Sequence, residues 1–274
     1  MRNEACVQFL QWCLPRLRFR WKGFRKVRKQ VCKRIGRRMQ ALSLPDVLAY
    51  RDYLEGHGTE WDILDSLCRV TISRFYRDRS VFDTLGATLL PLLARRAIAR
   101  GEPAVHGWSV GSCSGEEPYT LQILWKLCVV PELPVPLPLH ILATEIDSGL
   151  IERAHQGRYP ESSLKDLPNA LRQQAFECTK GAYTIREPFK ENIRFVQQDI
   201  REGRPAGQFH LILCRNLVFT YFEEQLQRTL LGVLSERLLP EGMLVIGTHE
   251  SLPPGTDRLI PYDGGLGIYE KPRR

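Results

Sequence analysis

Hydrophobic residues at helical spacing mark the first eighty positions of the chain. Apolar side chains recur every three or four residues between Phe24 and Leu42, which predicts an amphipathic helix with one buried face. The dipeptide Pro45-Asp46 interrupts this pattern. Similar periodicity returns in three further segments, at residues 47–54, 60–67 and 81–92. The pattern therefore predicts a small all-α domain at the N-terminus.

From about residue 105 the pattern changes to short apolar runs that alternate with helical segments. Six runs predict strands, at residues 105–110, 139–144, 193–196, 209–213, 243–247 and 267–270. Three segments between them predict helices, at residues 117–128, 148–156 and 223–238. This alternation predicts an α/β fold with a mostly parallel sheet that is covered on both faces.

Residues 157–192 depart from the alternation. Pro160, Pro168 and Pro188 divide a polar helix-and-hairpin stretch there, which predicts an inserted subdomain. The predicted organisation is a basic helical N-terminal domain with a linker over residues 1–78, followed by a larger domain over residues 79–274 that carries the insertion.

The amino-acid composition indicates a globular protein in a reducing environment. The 274 residues are 43% hydrophobic and 26% charged, which is ordinary for a globular protein. No apolar run approaches the roughly 20 residues that span a bilayer, and the N-terminus does not resemble a signal peptide. Eight cysteines lack metal-ligand spacing. We therefore expect a cytoplasmic protein with free thiols and no bound metal.

The net charge of +8 is concentrated in one segment. Residues 16–38 contain twelve lysines and arginines and no acidic residue. Such a block indicates an acidic partner (nucleic acid, anionic lipid or an acidic protein surface), although a solvated helix face would also explain it. The cations predicted to face outward are Arg25, Arg28, Lys29, Lys33 and Arg37.

The segment 108–119, Trp-Ser-Val-Gly-Ser-Cys-Ser-Gly-Glu-Glu-Pro-Tyr, carries the strongest chemical signal. A strand, a turn of small residues and a helix N-terminus form nucleotide pockets in α/β proteins. Gly111 and Gly115 match neither the dinucleotide fingerprint nor a Walker motif, and two adjacent glutamates would repel phosphate. The turn thus predicts a nucleoside ligand with little or no phosphate, such as S-adenosylmethionine. Alternatively, the turn binds nothing, and Ser114 and Glu117 form a capping box.

Polar residues follow other predicted strands, where ligands of open α/β sheets bind. Glu145 ends the second strand and could accept hydrogen bonds from a ribose. Asp199 and Ile200 follow a later strand, where they could meet the adenine amine and the adenine face. Arg215 and Asn216 follow the strand predicted at residues 209–213. These residues converge on one edge of the predicted sheet.

With these motifs the sequence resembles the chemotaxis-receptor glutamate O-methyltransferases of the CheR type, which use S-adenosylmethionine. The resemblance extends over residues 9–269. It is carried by Ser73-Arg74-Phe75-Tyr76-Arg77-Asp78, Gly115-Glu116-Glu117-Pro118-Tyr119, Thr144-Glu145-Ile146-Asp147, Cys214-Arg215-Asn216 and Gly247-Thr248-His249-Glu250. The resemblance implies a helical N-terminal domain joined to a Rossmann-like class I methyltransferase domain, with a small antiparallel insertion that can dock a receptor-tail peptide.

The resemblance also implies roles for individual residues. Arg77 would pair with the cofactor carboxylate, and Tyr221 and Arg96 would lie near the transferred methyl group. The implied cofactor-binding residues are Thr71, Ser73, Arg77, Gly111, Glu116, Glu145, Asp199, Ile200, Arg215 and Asn216.

The sequence departs from the family pattern at several of these positions. Thr71 replaces an Asn, Glu145 replaces an Asp, and Tyr221 comes one residue late. The family also uses an arginine before the first strand, for which Arg95 and Arg96 are both candidates.

The function implied by the resemblance is transfer of the methyl group to a glutamate of an acidic chemoreceptor-like protein, with S-adenosylhomocysteine as the second product. A carboxylate is ionised at neutral pH, so this reaction needs no general base. We expect a monomer that docks receptor helices through its basic face. Two alternatives stay open: a class I methyltransferase that acts on RNA, and a non-catalytic S-adenosylmethionine-binding signalling module.

Overall fold

A computed structural model describes residues 3–255, 258–263 and 265–273. The chain forms two compact units. The first comprises Met1–Thr71 with Leu217–Arg228, and the second comprises Ile72–Asn216 with Thr229–Arg274. The division differs from the boundaries expected from the sequence, because the linker residues 72–78 belong to the second unit and the short segment 217–228 belongs to the first.

The first unit is helical throughout its regular structure. Its helices are α1 (Asn3–Cys13), α2 (Trp21–Phe24), α3 (Arg28–Ala41), α4 (Val47–Gly56), α5 (Glu60–Cys68) and α11 (Val218–Tyr221), and α12 (Glu224–Arg237) begins in it. The apolar stripe of α3 is buried as predicted, at Val31, Ile35 and Met39. The predicted helix does not run unbroken from Phe24, because α2 ends there and a new helix starts at Arg28.

A disulfide joins α1 to α3 in the first unit. Cys6 and Cys32 are bonded, with their Cα atoms 6.0 Å apart. The expectation that all eight cysteines are free thiols is therefore wrong for this pair, because packing of α1 against α3 brings the two side chains together. The free cysteines are Cys13, Cys68, Cys113, Cys128, Cys178 and Cys214.

The second unit is built on a seven-stranded sheet. Its strands are β1 (Val105–Val110), β2 (Leu139–Glu145), β6 (Ile193–Gln197), β7 (Phe209–Leu213), β8 (Leu238–Val245), β9 (Ile260–Asp263) and β10 (Ile268–Glu270). The order is β6-β2-β1-β7-β8-β10-β9. The five strands from β6 to β8 pair in parallel, and β10 and β9 add antiparallel to that edge. The predicted mostly parallel sheet is confirmed.

Helices cover this sheet and bury its apolar side chains. They are α6 (Arg79–Thr84), α7 (Leu90–Ala99), α8 (Glu116–Leu124) and α9 (Ser148–Gln156), with the remainder of α12, whereas α10 (Asn169–Ala175) lies in the insertion. A π-helical turn at Leu85–Leu89 joins α6 to α7, and another at Trp125–Val129 extends α8. The rings of Trp108 and Trp125 are fully buried in the core.

The insertion forms a second, smaller sheet. Strands β3 (Arg158–Pro160), β4 (Phe176–Thr179) and β5 (Ala182–Ile185) pair antiparallel in the order β3-β5-β4. The Tyr159 hydroxyl of β3 donates a 2.6 Å hydrogen bond to the Ser114 carbonyl, so the insertion supports the turn after β1. The antiparallel subdomain predicted for residues 157–192 is confirmed.

Two classes of feature are missing from the part of the chain that the structure describes. Within residues 3–255, 258–263 and 265–273, no helix is long and apolar enough to cross a membrane. The same residues contain no cluster of three or more side chains that could hold a metal ion.

Candidate functional site

The turn between β1 and α8 is held in a conformation that favours small residues. The backbone is left-handed at Gly111 (φ 69°), Cys113 (φ 49°) and Gly115 (φ 91°). A Cβ atom at Gly115 would lie 2.9 Å from the Tyr119 ring, so only glycine fits without strain. The Gly111 N–H donates to the Thr144 carbonyl at 2.8 Å, which fixes the turn against the end of β2.

Helix α8 begins directly after this turn, and its first residue has an unsatisfied carboxylate. Glu116 is only 3% exposed. Its Oε1 accepts a 2.8 Å hydrogen bond from the Ser114 hydroxyl, whereas Oε2 is buried with no partner among the described residues. Burial raises the pKa of Glu116, and hydrogen bonds to the carboxylate, including those from Ser114 and Ser73, oppose the shift.

A second polar atom of the turn is orphaned in the same way. The Ser112 hydroxyl is buried, and the described chain offers it no hydrogen-bond partner. Leaving a buried polar group unpaired costs about 1–3 kcal/mol. Two such groups in one turn of small residues indicate a ligand that supplies the missing partners.

Glu145, at the end of β2, holds the turn from the other side. One carboxylate oxygen accepts the Cys113 N–H at 2.9 Å, and the other accepts the N–H groups of Ile146 and Asp147 at 2.9 and 3.1 Å. Burial raises the pKa of Glu145, and these three donors act against the shift. The extra methylene of Glu relative to Asp lets the carboxylate fold back onto the backbone, and Oε2, which accepts only one of these bonds, keeps a lone pair for a ligand.

The linker brings an arginine to the same region. Arg77 Nη1 donates a 2.8 Å hydrogen bond to the Ile72 carbonyl, and no carboxylate of the described residues pairs with it. Ser73 hydrogen-bonds Glu116, which brings the linker next to the turn. Thr71 is exposed and ends the N-terminal segment of the first unit. The structure thus brings Ser73 and Arg77 together with the turn residues.

Arg215, after β7, is engaged on both sides. Its Nη2 donates to the Arg77 carbonyl at 2.8 Å and to the Asp78 carboxylate at 2.7 Å, and its Nη1 donates to Glu117 at 3.1 Å. Glu117 also accepts a 2.8 Å bond from the Ser109 hydroxyl. The capping box considered for Glu117 is therefore wrong, since Gly115 is the N-cap and Glu117 points to Arg215.

Asn216 is fixed by a residue whose role the sequence did not reveal. Glu250 Oε2 accepts the backbone N–H groups of Asn216 at 2.8 Å and Gly247 at 2.6 Å. A Cβ at Gly247 would lie 2.8 Å from Asn216 Oδ1, so glycine allows the approach. The motif Gly247-Thr248-His249-Glu250 can be identified in the sequence. An acidic residue in a loop, however, does not indicate which backbone N–H groups its carboxylate will accept.

The residues expected around adenine follow β6. The Asp199 carboxylate accepts a two-pronged contact from Arg201, with Nε at 2.8 Å from Oδ2 and at 3.1 Å from Oδ1. Ile200 is 9% exposed. Both lie beyond the carboxyl end of β6, and Asp199 is already paired within the protein.

Arg96 lies at the opposite end of the sheet from these residues. Its Nη1 donates to the Glu241 carbonyl and to the Glu270 carboxylate, both at 2.8 Å. Glu241 lies in the irregular part of β8 between Leu238 and Met243, which pair with Phe209 and Leu211 at the amino end of the parallel strands. The structure therefore does not bring Arg96 together with the other candidates, which lie at the carboxyl ends of β1, β2 and β7, and its expected catalytic role stays a prediction.

Tyr221 belongs to the first unit. Its ring packs edge-on against Phe24, with the ring centroids 5.2 Å apart. Its expected position near the transferred methyl group stays a prediction.

The basic block in the first unit has two faces. Arg38 donates two hydrogen bonds to the buried Glu60 carboxylate at 2.9 and 2.6 Å, and Arg34 donates to the Leu67 carbonyl at 3.3 Å. These two cations therefore form contacts within the first unit, so the cations of the basic block do not all face outward. The opposite face forms a groove of about 690 Å³, lined by Cys6, Lys29, Cys32, Lys33, Gly36, Arg37 and Gln40.

A parallel sheet, a turn of small residues without a phosphate-binding lysine, and a buried orphan carboxylate at the helix start define an S-adenosylmethionine-dependent methyltransferase of class I. The chain belongs to the CheR methyltransferase family, whose model "CheR methyltransferase, SAM binding domain" matches residues 71–264. The family, the fold class and the cofactor expected from the sequence are confirmed.

Curated relatives are similar over most of this chain. A chemotaxis protein methyltransferase 2 from Pseudomonas aeruginosa is 30% identical over 227 residues, which cover 81% of this chain and 78% of that protein. Chemotaxis protein methyltransferase 2 from Vibrio cholerae is 29% identical, covering 79% and 76%. The chemotaxis protein methyltransferase of Escherichia coli is 29% identical, covering 82% and 77%.

Proposed function

We propose that this protein methylates glutamate side chains of an acidic, chemoreceptor-like helical protein, using S-adenosylmethionine. The observation that carries the proposal is the buried Glu116 carboxylate, whose Oε2 has no partner, in the same region around Cys113 as Arg77, which has no acidic partner within the described residues. An amino-acid moiety has one positive and one negative group, and these two side chains offer the opposite charges. The relatives are named chemotaxis protein methyltransferases, which supports a substrate from chemotaxis, and the glutamate side chain follows from the family resemblance.

The remaining candidates fit the other parts of the cofactor. Glu145 would accept a hydrogen bond from the ribose at Oε2, where its backbone donors leave one lone pair open. Asp199 and Ile200 would meet the adenine amine and the adenine face. Arg77 suits the cofactor carboxylate because a guanidinium fork forms charge-assisted bonds with both oxygens.

The chemistry needs positioning more than proton transfer. When bound, S-adenosylmethionine supplies an electrophilic methyl group: a carbon–oxygen bond forms at the glutamate carboxylate, the carbon–sulfur bond breaks, and the electron pair stays on sulfur. Because the glutamate is ionised at neutral pH, no side chain of this protein has to remove a proton. The chain's residues hold the two reactants in line and keep water out, which can contribute roughly 7–11 kcal/mol in favourable cases.

The basic groove of the first unit is the proposed docking surface for the acidic substrate. Lys29, Lys33 and Arg37 are exposed and follow one another at four-residue spacing along α3, so they lie on one face. None of them forms an ion pair within the part of the chain that the structure describes. Arg25 and Arg28 extend this surface toward the N-terminus of α3. A Glu-rich helix of the substrate would complement the positive charge of this surface. A substrate of the chemoreceptor type would place the reaction in the cytoplasm.

The experiment is incubation of the purified protein with methyl-labelled S-adenosylmethionine and a chemoreceptor cytoplasmic domain. We expect label in the protein fraction that is released by mild base, as a glutamate methyl ester is. A parallel reaction with total RNA tests the RNA alternative. Label in RNA would replace the proposal, and tight cofactor binding with no label in either substrate would favour a non-catalytic module.

A further inference from the structure

Arg77 stands between two residues with unusual backbone conformations. Tyr76 has φ 59° and Asp78 has φ 62°, both in the left-handed region that side chains with a Cβ disfavour. For an aromatic residue such as Tyr76 this conformation is a genuine outlier. Strained backbone of this kind persists only where surrounding contacts impose it, and it concentrates at functional sites.

Contacts from three directions impose the conformation. The Tyr76 N–H donates to Thr120 Oγ1 at 3.3 Å, and the Tyr76 hydroxyl donates to Asp83 at 2.8 Å. Beyond Arg77, the fixing contacts come from Arg215, whose Nη2 holds both the Arg77 carbonyl and the Asp78 carboxylate. The segment is thus pinned before Arg77 by Tyr76 and after it by Arg215.

Arg215 is itself firmly anchored through its two terminal nitrogens, while its Nε is buried without a partner among the described residues. Its side chain is 3% exposed, and its guanidinium carbon lies 4.9 Å from the centre of the Phe82 ring. Asp78 and Glu117 provide two carboxylates for its single charge, and both terminal nitrogens donate to protein atoms. These contacts hold the segment that carries Arg77, and the unpaired Nε leaves one N–H for the cofactor contact that the family resemblance implies.

We propose that Arg215 is a positioning residue that holds the strained Tyr76–Asp78 backbone, and through it sets where the Arg77 guanidinium meets the carboxylate of the cofactor's amino-acid moiety. This inference rests on the proposed role of Arg77. The two arginines then have separate roles, because Arg77 binds the cofactor and Arg215 fixes the segment that carries Arg77.

The test compares two ligands that differ only beyond the thioether. S-adenosylhomocysteine has the amino-acid moiety, and 5′-methylthioadenosine has the same nucleoside and sulfur without it. Arg215→Lys keeps the charge but cannot bond Asp78, Glu117 and the Arg77 carbonyl together. By calorimetry we expect it to weaken S-adenosylhomocysteine binding roughly 10- to 100-fold and methylthioadenosine binding less than about twofold.

Double substitution distinguishes positioning from direct contact. If Arg215 acts through Arg77, Arg215→Lys added to Arg77→Lys lowers S-adenosylhomocysteine affinity no further. The matched control is Arg100→Lys, because Arg100 also pairs with two carboxylates, Glu102 and Glu241, at the other end of the sheet. We expect this control to bind both ligands as the unchanged protein does.

Hydrogen exchange of the unliganded protein provides a readout that does not depend on the cofactor. Arg215→Lys should speed exchange of the backbone amides at residues 76–79, whereas Arg77→Lys should not. If Arg215→Lys does not fold, Asp78→Asn removes one side of the contact and keeps a residue type that tolerates positive φ. The same selective loss for S-adenosylhomocysteine is expected from it.

Equal loss for both ligands, or additive losses in the double variant, would overturn the inference. If the unsubstituted protein binds neither ligand, the proposed cofactor role of Arg77 is contradicted. Unaltered hydrogen exchange at residues 76–79 in Arg215→Lys would then contradict the positioning role of Arg215 as well. If Arg215→Lys selectively loses affinity for S-adenosylhomocysteine but no methyl ester forms on any receptor, the positioning role of Arg215 is supported and only the proposed substrate is contradicted.

Discussion

The carboxylate of Glu145 accepts the backbone N–H of Cys113 across a 2.9 Å hydrogen bond, and this contact ties the end of β2 to the middle of the turn after β1. Two different strands are thereby coupled at the point where a ligand would enter. The contact gives the turn a support that does not depend on glycine alone.

Glu145→Gln should loosen the turn. The amide oxygen can still accept from Ile146 and Asp147, but the amide nitrogen would then face the Cys113 N–H, donor against donor. Loss of about 1–1.5 kcal/mol should raise the open population of the turn roughly tenfold. Maleimide labelling of Cys113, followed by mass spectrometry, should accelerate accordingly. The exposed Cys178 serves as the internal control, and equal acceleration at both cysteines would indicate general destabilisation instead.

Glu116→Gln should separate ligand binding from stability. The variant keeps the shape and loses the charge that a ligand ammonium would meet, so S-adenosylhomocysteine affinity should fall roughly 10- to 100-fold. The folded protein should be as stable as before or more stable, because burial disfavours the ionised form. Calorimetry and thermal unfolding measure the two effects. A large drop in stability with unchanged affinity would contradict the assignment.

The pH dependence of this difference follows from the raised pKa of Glu116. Between the ordinary value of 4.5 and the raised value, the folded protein binds more protons than the unfolded chain. Stability contributed by this group is therefore lost as pH rises through that window. The free energy of unfolding of Glu116→Gln, relative to that of the unchanged protein, should therefore increase as pH rises through the window. Above the window the difference should stay constant. Unfolding measured at a series of pH values checks both expectations.

Much of the second unit is predictable from the sequence because its parallel strands are buried on both faces. Such strands are rich in apolar residues and bounded by turns, as at Val105–Val110 and Phe209–Leu213, where prediction and structure coincide. Strand β9 was missed, since Ile260–Asp263 is an edge strand with a proline and an exposed isoleucine. The start of β8 at Leu238 was assigned to the preceding helix, because its leucines continue the helical period.

The sequence predicts the candidate site only where a residue with suitable chemistry directly follows a predicted strand. The turn and Glu145 follow strands directly, so their meeting at one edge follows from the parallel arrangement. The position of Arg96 was not predictable, because periodicity fixes a helix face but not the end of the sheet that the helix reaches. The roles of Arg215 and Glu250 depend on contacts between segments far apart in sequence, such as the bond from Glu250 to the Asn216 N–H. No local pattern encodes such pairings.

A histidine row at the amino end of the sheet should make stability sensitive to mild acid. Burial, with the neighbouring His210 and His140, lowers the pKa of His106, while Glu102 acts in the opposite direction. The unfolded chain titrates near 6.5, so between that value and the lowered pKa the unfolded state binds more protons. Stability therefore falls as pH decreases through that window. His106→Gln should flatten this part of the unfolding profile, and an unchanged profile would exclude the effect.

The Cys6–Cys32 disulfide should contribute measurably to the first unit. It closes a loop with a sequence separation of 26, for which chain entropy gives about 3 kcal/mol. Reduction by dithiothreitol, or Cys6→Ser, should lower the unfolding temperature of the N-terminal helices in calorimetry. Cys178→Ser, at an exposed free cysteine, should keep the response to reduction. A melting profile that dithiothreitol leaves unchanged would show that the bond adds no stability.

Charge reversal in the basic groove should slow methylation of an acidic substrate without affecting cofactor binding. Lys29 and Lys33 line the groove, and attraction between them and a Glu-rich helix acts on encounter, which salt screens. Lys29→Glu with Lys33→Glu should reduce kcat/KM at low ionic strength and flatten its dependence on salt. The control, Arg194→Glu with Arg204→Glu, changes net charge equally at exposed sites of the second unit. If both variants respond alike, net charge alone governs the encounter and the groove has no docking role. If only the groove variant loses rate while S-adenosylhomocysteine affinity is preserved, the acidic substrate approaches along α3.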